Sequence, residues 1–142
     1  MYSGAAVYTP YYEAKIMALY AQSIGIPAGN IYTELLAEHS TENIYYGYRK
    51  AQKLGFKKVA LASDPFQSKM LRRYIRKKVS PDIVLIPMVV DTLKMIEPAM
   101  TDPLIEYDKA YKEDFISIKE RQSFWKRLRG TIRGNIDTTA YR

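Results

Sequence analysis

Two patterns of apolar residues alternate along this chain, one typical of helices and one typical of buried strands. Helical spacing begins after Thr9-Pro10, where threonine is a good N-cap and proline fits the first helical position. It continues to Ile24, and Gly25 ends it. The short apolar run Ile31–Leu35 then predicts a strand. A first helix and a first strand are therefore expected within the opening 35 residues.

The same alternation continues to residue 87. Ser40 is a suitable N-cap for a second helix, and Asp64 followed by Pro65 is a suitable start for a third. The last run is apolar throughout, which is typical of a strand covered on both faces. The predicted elements are a helix from Ser40 to Leu54, a strand at 58–62, a helix from Phe66 to Val79 and a strand at 82–87.

The remainder of the chain is less regular. Prolines interrupt residues 88–113, which predicts short helical turns. Residues 115–133 have helical spacing, and residues 135–142 are expected to form a loose tail. The expected inner face of this last helix consists of Ile118, Trp125, Leu128 and Ile132.

Helices that alternate with strands predict an α/β fold with right-handed crossovers, hence a mostly parallel sheet in a three-layer α/β/α, Rossmann-like arrangement. Residues 1–142 suffice for a single domain. Met1 to Gly4 is typical of the end of a strand and the loop after it. The first strand of the sheet is therefore apparently missing, and we expect either an upstream segment or completion of the sheet by association, for example as a homo-oligomer.

Composition narrows the class of protein. The chain is 47% hydrophobic and 26% charged, which is typical of a globular domain. It contains no cysteine, so disulfides, thiolate metal sites and a cysteine nucleophile are excluded. Neither a signal peptide nor an apolar run long enough to span a membrane is present in this sequence. A cytoplasmic location is expected on these grounds.

The net charge of +7 is concentrated in two groups. One occupies residues 69–78 and the other residues 119–133. Solvated helix faces explain such groups most simply, and contact with phosphate or an anionic membrane surface is the alternative. Binding to nucleic acid is not expected, because no helix-turn-helix or zinc-finger pattern is present.

Polar residues follow each predicted strand or open the next helix. Because the carboxyl ends of parallel strands meet at one edge of a sheet, these residues are expected to converge on a crevice there. Helix capping is the simpler role for some of them, Ser40 and Asp64 above all. The candidates are Ser3, Glu13, Ser40, Glu42, Asn43, Ser63, Asp64, Gln67 and Lys69.

Two of these candidates are acids that suit general-base chemistry, Glu42 and Glu13. Together with Asp64 they are also compatible with Mg²⁺, although no closely spaced metal-ligand motif supports a tight site. His39 is the single histidine and a further candidate base, although a loop histidine is more often an ordinary polar residue. Neither a P-loop nor a Gly-x-Gly-x-x-Gly motif is present.

These residues give the chain a family likeness over roughly residues 1–90. Ser3-Gly4-Ala5 resembles a Ser-Gly-Gly that follows the second strand in the YdcF-like family, the bacterial domain of unknown function shared with SanA and ElyC. Ser40-Thr41-Glu42-Asn43 resembles that family's Thr-x-Glu-Asn signature. Glu13 matches a family glutamate, and residues 62–67 resemble a Thr-Ser-x-Phe-His segment in which Gln67 replaces histidine. Residues 91–142 form a C-terminal extension to this resemblance.

The resemblance implies a Rossmann-type fold, a polar crevice and a link to the bacterial cell envelope, including association with the inner membrane. It adds Gly4 and Thr41 to the ligand-binding candidates. The expected ligand is anionic or nucleotide-like, an adenosyl compound or a lipid-linked phosphate, with Lys69 supplying positive charge. Two alternatives stay open: a hydrolase or transferase acting on an envelope precursor, and a module that binds a membrane surface through the 69–78 helix.

Overall fold

The computed structural model describes residues 1–132 and 136–141, and these form a mixed α/β fold. Short 3₁₀ turns occur at Ala28–Asn30, Glu97–Ala99 and Tyr107–Ala110, and a π-turn at Ile75–Val79. The strands are β1 (Tyr2–Ser3), β2 (Thr33–Glu34), β3 (Ala60–Ser63) and β4 (Val84–Pro87). The helices are α1 (Glu13–Ser23), α2 (Ser40–Lys53), α3 (Pro65–Tyr74), α4 (Val90–Ile96), α5 (Ile118–Arg121) and α6 (Phe124–Ile132).

The four strands form two separate parallel pairs. β1 pairs with β2, with Ser3 opposite Glu34, and β3 pairs with β4, with Ala60 opposite Val84. The prediction of parallel strands joined by helices is therefore confirmed. The single continuous sheet is not formed among the described residues, because β1 does not pair with β3.

Helix α2 connects the two pairs through the main hydrophobic core. Ile44 on α2 packs with Leu71 on α3, Ile75 in the π-turn and Ile83 just before β4, and all four are buried. The inward side chains of β3 and β4, Leu61 and Leu85, pack against the same cluster. Helix α2 also contacts the strands of the other pair, β1 and β2. Its position explains how two strand pairs without a shared ladder remain in one fold.

Residues 84–87 form a strand, as predicted for the 82–87 run, but the prediction that both of its faces are covered is wrong. Val84 and Ile86 alternate with Leu85, so they lie on the opposite face of β4, and they are 60% and 52% exposed. Ala60 and Ala62 occupy the same face on β3 and are exposed too. One face of the β3–β4 pair thus packs against the core, and the described residues leave its other face exposed although the strand sequence is apolar.

Helix α1 begins three residues later than Thr9-Pro10 predicts. The reason is a competing pairing of residues 10–12 with the segment that follows the last 3₁₀ turn. Lys112 N donates to Pro10 O at 2.8 Å, Tyr12 N donates to Ala110 O at 2.9 Å, and Tyr11 bridges Tyr111. This contact holds residues 10–12 extended, and Tyr12 becomes the N-cap.

Helix α3 begins as its sequence predicts. Asp64 is the N-cap, its side chain accepts from Gln67 N at 2.9 Å, and Pro65 is the first helical residue. The predicted single helix to Val79 is wrong at its end, because the chain widens into the π-turn after Tyr74. The strands are also shorter or shifted: the 31–35 run pairs only at Thr33–Glu34, and the 58–62 run pairs at Ala60–Ser63.

The prediction of one continuous helix over residues 115–133 is wrong. The segment is divided into α5 and α6 by Gln122, whose backbone is extended and whose side chain turns to the β2–α2 loop. Ile118 is buried as predicted, but Trp125 is 74% exposed, and Ile132 is also exposed. Residue 133 lies outside the described residues.

The tail is not loose where it is described. Tyr141 Oη donates to Glu34 at 2.9 Å, and Asp137 N donates to the Tyr46 hydroxyl at 3.0 Å. Residues 135 and 142 of the predicted tail lie outside the described residues. The C-terminal extension is thus part of the fold around α2 and β2.

Within residues 1–132 and 136–141, no helix has both the length and the apolar character needed to cross a membrane.

We expect Ile44→Ala to destabilise the fold by about 2–5 kcal/mol, because it leaves a cavity where α2 meets the α3 side of the core. Chemical denaturation monitored by circular dichroism measures this loss. Ile86→Ala is the matched control, since Ile86 is 52% exposed and its truncation should change stability by about 0.5 kcal/mol or less. Equal losses in the two variants would contradict the role of Ile44 in the core between α2 and α3.

Candidate functional site

A cavity of about 640 Å³ lies between the two strand pairs. Every residue of β1 and β3 contributes to its lining, and α2 lies along it with Ile44, Gly47 and Tyr48. Its polar lining lies where β1 and β3 end and where α2 and α3 begin. The candidates that line it are Ser3, Ser40, Asn43, Ser63, Asp64 and Gln67.

Ser3 and Asn43 join the first two of the predicted motifs directly. Ser3 Oγ is 3.1 Å from Asn43 Oδ1 and donates at 2.6 Å to Glu34 Oε2. Asn43 therefore faces β1 instead of bonding back to its own cap, as its capping-box position would suggest. The contact fixes the α2 N-terminus against the end of β1, at the cavity wall.

Glu34 is a buried carboxylate that the sequence analysis missed. Its exposure is 0%, and besides Ser3 it accepts from Leu36 N at 2.6 Å, Ala37 N at 3.3 Å and the Tyr141 hydroxyl at 2.9 Å. Burial, followed by the bond to this carboxylate, raises the pKa of Tyr141, so Tyr141 remains a donor. The sequence offered one signal for this site, an acid within the apolar run Ile31–Leu35. An acid in a buried strand indicates a polar site, because it needs several hydrogen-bond donors around it.

The N-terminus of α2 has no side-chain cap, which corrects the prediction for Ser40. The N-cap position belongs to His39, which makes no capping bond, and Ser40 is the first helical residue. Asn43 N donates to His39 O at 2.9 Å, as in an ordinary first turn. A 14-residue helix thus presents its uncapped, positive end beside the cavity, where Ser40 lines the wall.

Glu42 is buried in the first turn of α2 and does not line the cavity. It is 6% exposed, and its Oε2 accepts from Glu38 N at 2.7 Å. Burial is the main cause that raises the pKa of this carboxyl, while its backbone hydrogen bond and the neighbouring His39 oppose the shift. Burial of the Tyr74 hydroxyl, with Tyr45 and Glu42 nearby, raises the pKa of Tyr74 to about 12.

Thr41 and His39 are held by the C-terminal helices. The Thr41 hydroxyl donates to Gly130 O, and His39 Nε2 is 3.1 Å from Gln122 Oε1. The His39 ring lies so close to Gly130 that a Cβ at position 130 would overlap it. Glycine at this position therefore permits the close approach of α6 to the start of α2. Both candidate side chains have structural contacts here.

Glu38 completes this contact region. Arg121 Nη2 lies 2.7 Å from Glu38 Oε1, and Gln122 Nε2 donates to Glu38 Oε2 at 3.0 Å. The loop before α2 is therefore fixed by α5 and α6 on one side and by β1 on the other. Glu38, His39 and Thr41, at the start of α2, do not line the cavity.

Gly4 and Glu13 lie together at the start of α1, apart from the cavity. Gly4 has φ +152°, and a Cβ there would come within 2.9 Å of the Glu13 side chain. Ala14 N donates to Gly4 O at 3.1 Å and Glu13 N to Ala5 O at 3.4 Å, so backbone carbonyls already satisfy the α1 N-terminus. Glu13 lines a different pocket with Tyr11 and Ile16.

Lys69 does not reach the cavity either, which corrects its expected role as the source of positive charge there. It lies on α3 and lines a separate groove on the side of β4. Among the described residues, the one basic side chain that lines the cavity is Lys58, which precedes β3 and is distant along the chain from Asp64. The polar end of the cavity thus combines an uncapped helix end with carboxylate and amide oxygens.

The proposed Mg²⁺ ligands do not come together. Among the described residues, no three His, Asp or Glu side chains form a group able to hold a metal ion. Glu13, Glu42 and Asp64 belong to three different surroundings, as described above. Within the described part of the chain, the arrangement has hydrogen-bond acceptors and helix dipoles to offer a ligand.

Comparison with known proteins finds no match: no protein-family model, no curated protein and no solved structure is similar to this chain.

Ionisation of Glu42 should lower stability as the pH rises. Because its folded pKa is raised above 4.5, the folded state favours the protonated form, and that advantage is lost between pH 4.5 and the raised pKa. Glu42→Gln keeps an acceptor for Glu38 N without the buried charge. We expect its melting temperature, relative to the wild type, to increase across this pH range.

Glu113→Gln is the control for this titration, since Glu113 is exposed. Its melting temperature should follow that of the wild type at every pH. A wild-type protein whose stability rises relative to Glu42→Gln above pH 4.5 would show that the Glu42 carboxylate is preferred in its charged form.

The surroundings of Gly130 and Gly47 predict opposite effects for their substitution by alanine. Gly130→Ala should destabilise the protein by about 1–3 kcal/mol, because the new methyl group overlaps the His39 ring. Gly47→Ala, in the middle of α2 with open space around it, should stabilise by up to about 1 kcal/mol through helix propensity. Thermal melts of the two variants check this, and a neutral Gly130→Ala would contradict tight α2–α6 packing.

Proposed function

We propose that this protein is a small-molecule binding domain of the YdcF-like type, with its ligand at the polar end of the cavity between β1 and β3. The observation that carries the proposal is the contact between Ser3 and Asn43, which line the same cavity as Ser63 and Asp64. Three sequence motifs separated along the chain thereby supply polar groups to one end of the cavity. Such convergence at strand ends is typical of ligand sites in α/β folds.

The finer fold proposal is a doubly wound, Rossmann-like sheet. Two observations support it. β1 pairs with β2 and β3 with β4, and the connection within each parallel pair contains a helix, α1 in the first and α3 in the second. β1 and β3 line the cavity from its two sides, and the position between them is where a doubly wound sheet has a further strand. On this proposal, the ligand binds beyond the carboxyl ends of the strands, at Ser3 and Ser63.

The lining favours a nucleotide-like or adenosyl ligand over a bare anion. Asp64 and Asn43 offer oxygen acceptors, which suit ribose hydroxyls and amino groups. Tyr32, Tyr48 and Phe56 supply aromatic surface on which a base can stack. A phosphate, where the ligand has one, would meet the uncapped N-terminus of α2.

The enzymatic alternative has less support from the geometry. Glu42 is buried behind Glu38 and Glu13 lies in another pocket, so neither candidate base faces the cavity. Binding without turnover is therefore the function that we propose.

A ligand of this site should raise the melting temperature. The probes are nucleotides, adenosyl compounds and polyprenyl phosphates, each with and without Mg²⁺. At a hundredfold excess over Kd we expect a rise of about 5–10 °C. Asn43→Ala should abolish the rise measured from its own melting point, because it removes an acceptor from the cavity wall.

Gln22→Ala is the matched control, since it also removes an amide, but from the exposed end of α1. The ligand should shift its melting temperature as it shifts that of the wild type. A cooperative melt that no probe changes, or a shift that Asn43→Ala retains, would contradict the proposal.

A further inference from the structure

A second cavity lies on the opposite side of α3, between this helix and β4. Its volume is about 640 Å³, and we call it the α3 groove. None of its lining residues belongs to the polar end of the cavity described above. Three basic side chains line it, Lys69, Arg72 and Arg76, and its apolar floor consists of Ile83, Val84, Leu85 and Pro87.

The basic side chains lie along one face of the helix. Lys69 and Arg72 are three residues apart, and Arg76 follows four residues later in the π-turn, so successive turns place them in a row. All three are exposed, and no ion pair of the described residues involves them. In the described part of the chain, Asp82 is the one acid that lines the groove. The groove therefore has an excess of unpaired positive charge.

Ser68 provides an independent sign that the groove receives a ligand. Ser68 lines the groove and is only 6% exposed. Its Oγ is a buried polar atom without a hydrogen-bond partner in the described part of the chain. A buried hydroxyl that lacks a partner carries a desolvation cost, which an acceptor in the groove would offset.

The floor of the groove indicates what accompanies the anion. Val84 is 60% exposed although it is an aliphatic residue of a strand, and Pro87 is exposed as well, while Leu85 is half-buried and Ile83 is buried. Exposed apolar surface beside a row of cations is complementary to a molecule with a charged head and an apolar body.

We propose that the α3 groove is a binding site for a single amphiphilic molecule with a phosphate head. The head accepts from Lys69, Arg72, Arg76 and the Ser68 hydroxyl, and the apolar part lies on the surface of β4. Among the described residues, the groove and the cavity of the proposed function share Ile83 but no polar residue. Variants of the three basic residues therefore test the groove, and Asn43→Ala tests the cavity.

The experiment uses a water-soluble, short-chain phosphatidic acid as the probe, with calorimetric titration of the whole chain. The variant Lys69→Gln/Arg72→Gln/Arg76→Gln should bind at least about tenfold more weakly, since it removes the charge-assisted hydrogen bonds to the head. Ser68→Ala, which keeps all charges, should bind a few times more weakly.

The same helix offers a matched control. Arg73→Gln/Lys77→Gln/Lys78→Gln removes the same charge from residues that do not line the groove. We expect its affinity to stay within about twofold of the wild type, because salt screens exposed charges that do not contact the bound head. Equal losses in both triple variants would overturn the proposal, since they would reduce it to diffuse attraction.

Two further probes test the head and the tail separately. Short-chain phosphatidylcholine has the same tails and no net charge, and inorganic phosphate has the charge and no tail. Both should bind at least about tenfold more weakly than phosphatidic acid, by the loss of charge-assisted bonds and of apolar contact respectively. Equal binding of either one would overturn the assignment of an amphiphile. Ser68→Ala also keeps the test valid if the triple variant fails to fold.

Discussion

The packing of α2 across the two strand pairs is the contact on which the rest of this fold depends. A sheet normally holds its strands together by a continuous ladder of backbone hydrogen bonds. Here that ladder is interrupted between β1 and β3. Ile44 joins the α3 side of the core, and Asn43, one residue earlier, lies against Ser3 at the end of β1. Two neighbouring residues of one helix thus contact both halves of the fold.

The C-terminal segment acts on the same helix from outside. Gly130 and Gln122 hold the loop before α2, while Tyr141 closes over Glu34. These contacts occupy side chains that the sequence presents as candidate site residues, His39 and Thr41 among them. Their polarity serves to fix the loop, which in turn positions Ser40 and Asn43 at the cavity wall.

Local signals in the sequence predicted local structure well and long-range contacts poorly. Asp64-Pro65 specifies the start of α3 by itself, because a cap and a first-turn proline act on adjacent residues. Thr9-Pro10 has the same pattern, yet pairing with residues 110–112 overrides it. The role of Gly130 in the approach to His39 depends on a contact across more than ninety residues, which no local pattern predicts. Glu34 was missed for a similar reason, since its four donors come from three places in the chain, two of them distant from residue 34.

The interrupted ladder has a consequence for how this domain opens. Cooperative units in native proteins follow contiguous hydrogen-bonded and packed elements. β3, α3 and β4 share one ladder and one side of the core, whereas β1, β2 and α1 share the other. Either half can therefore lose its structure at a lower free energy than the whole, with α2 remaining on the half that persists. Amide protons of β3 and β4 would then exchange with solvent through partial openings, at a rate set by the few side chains around Ile44.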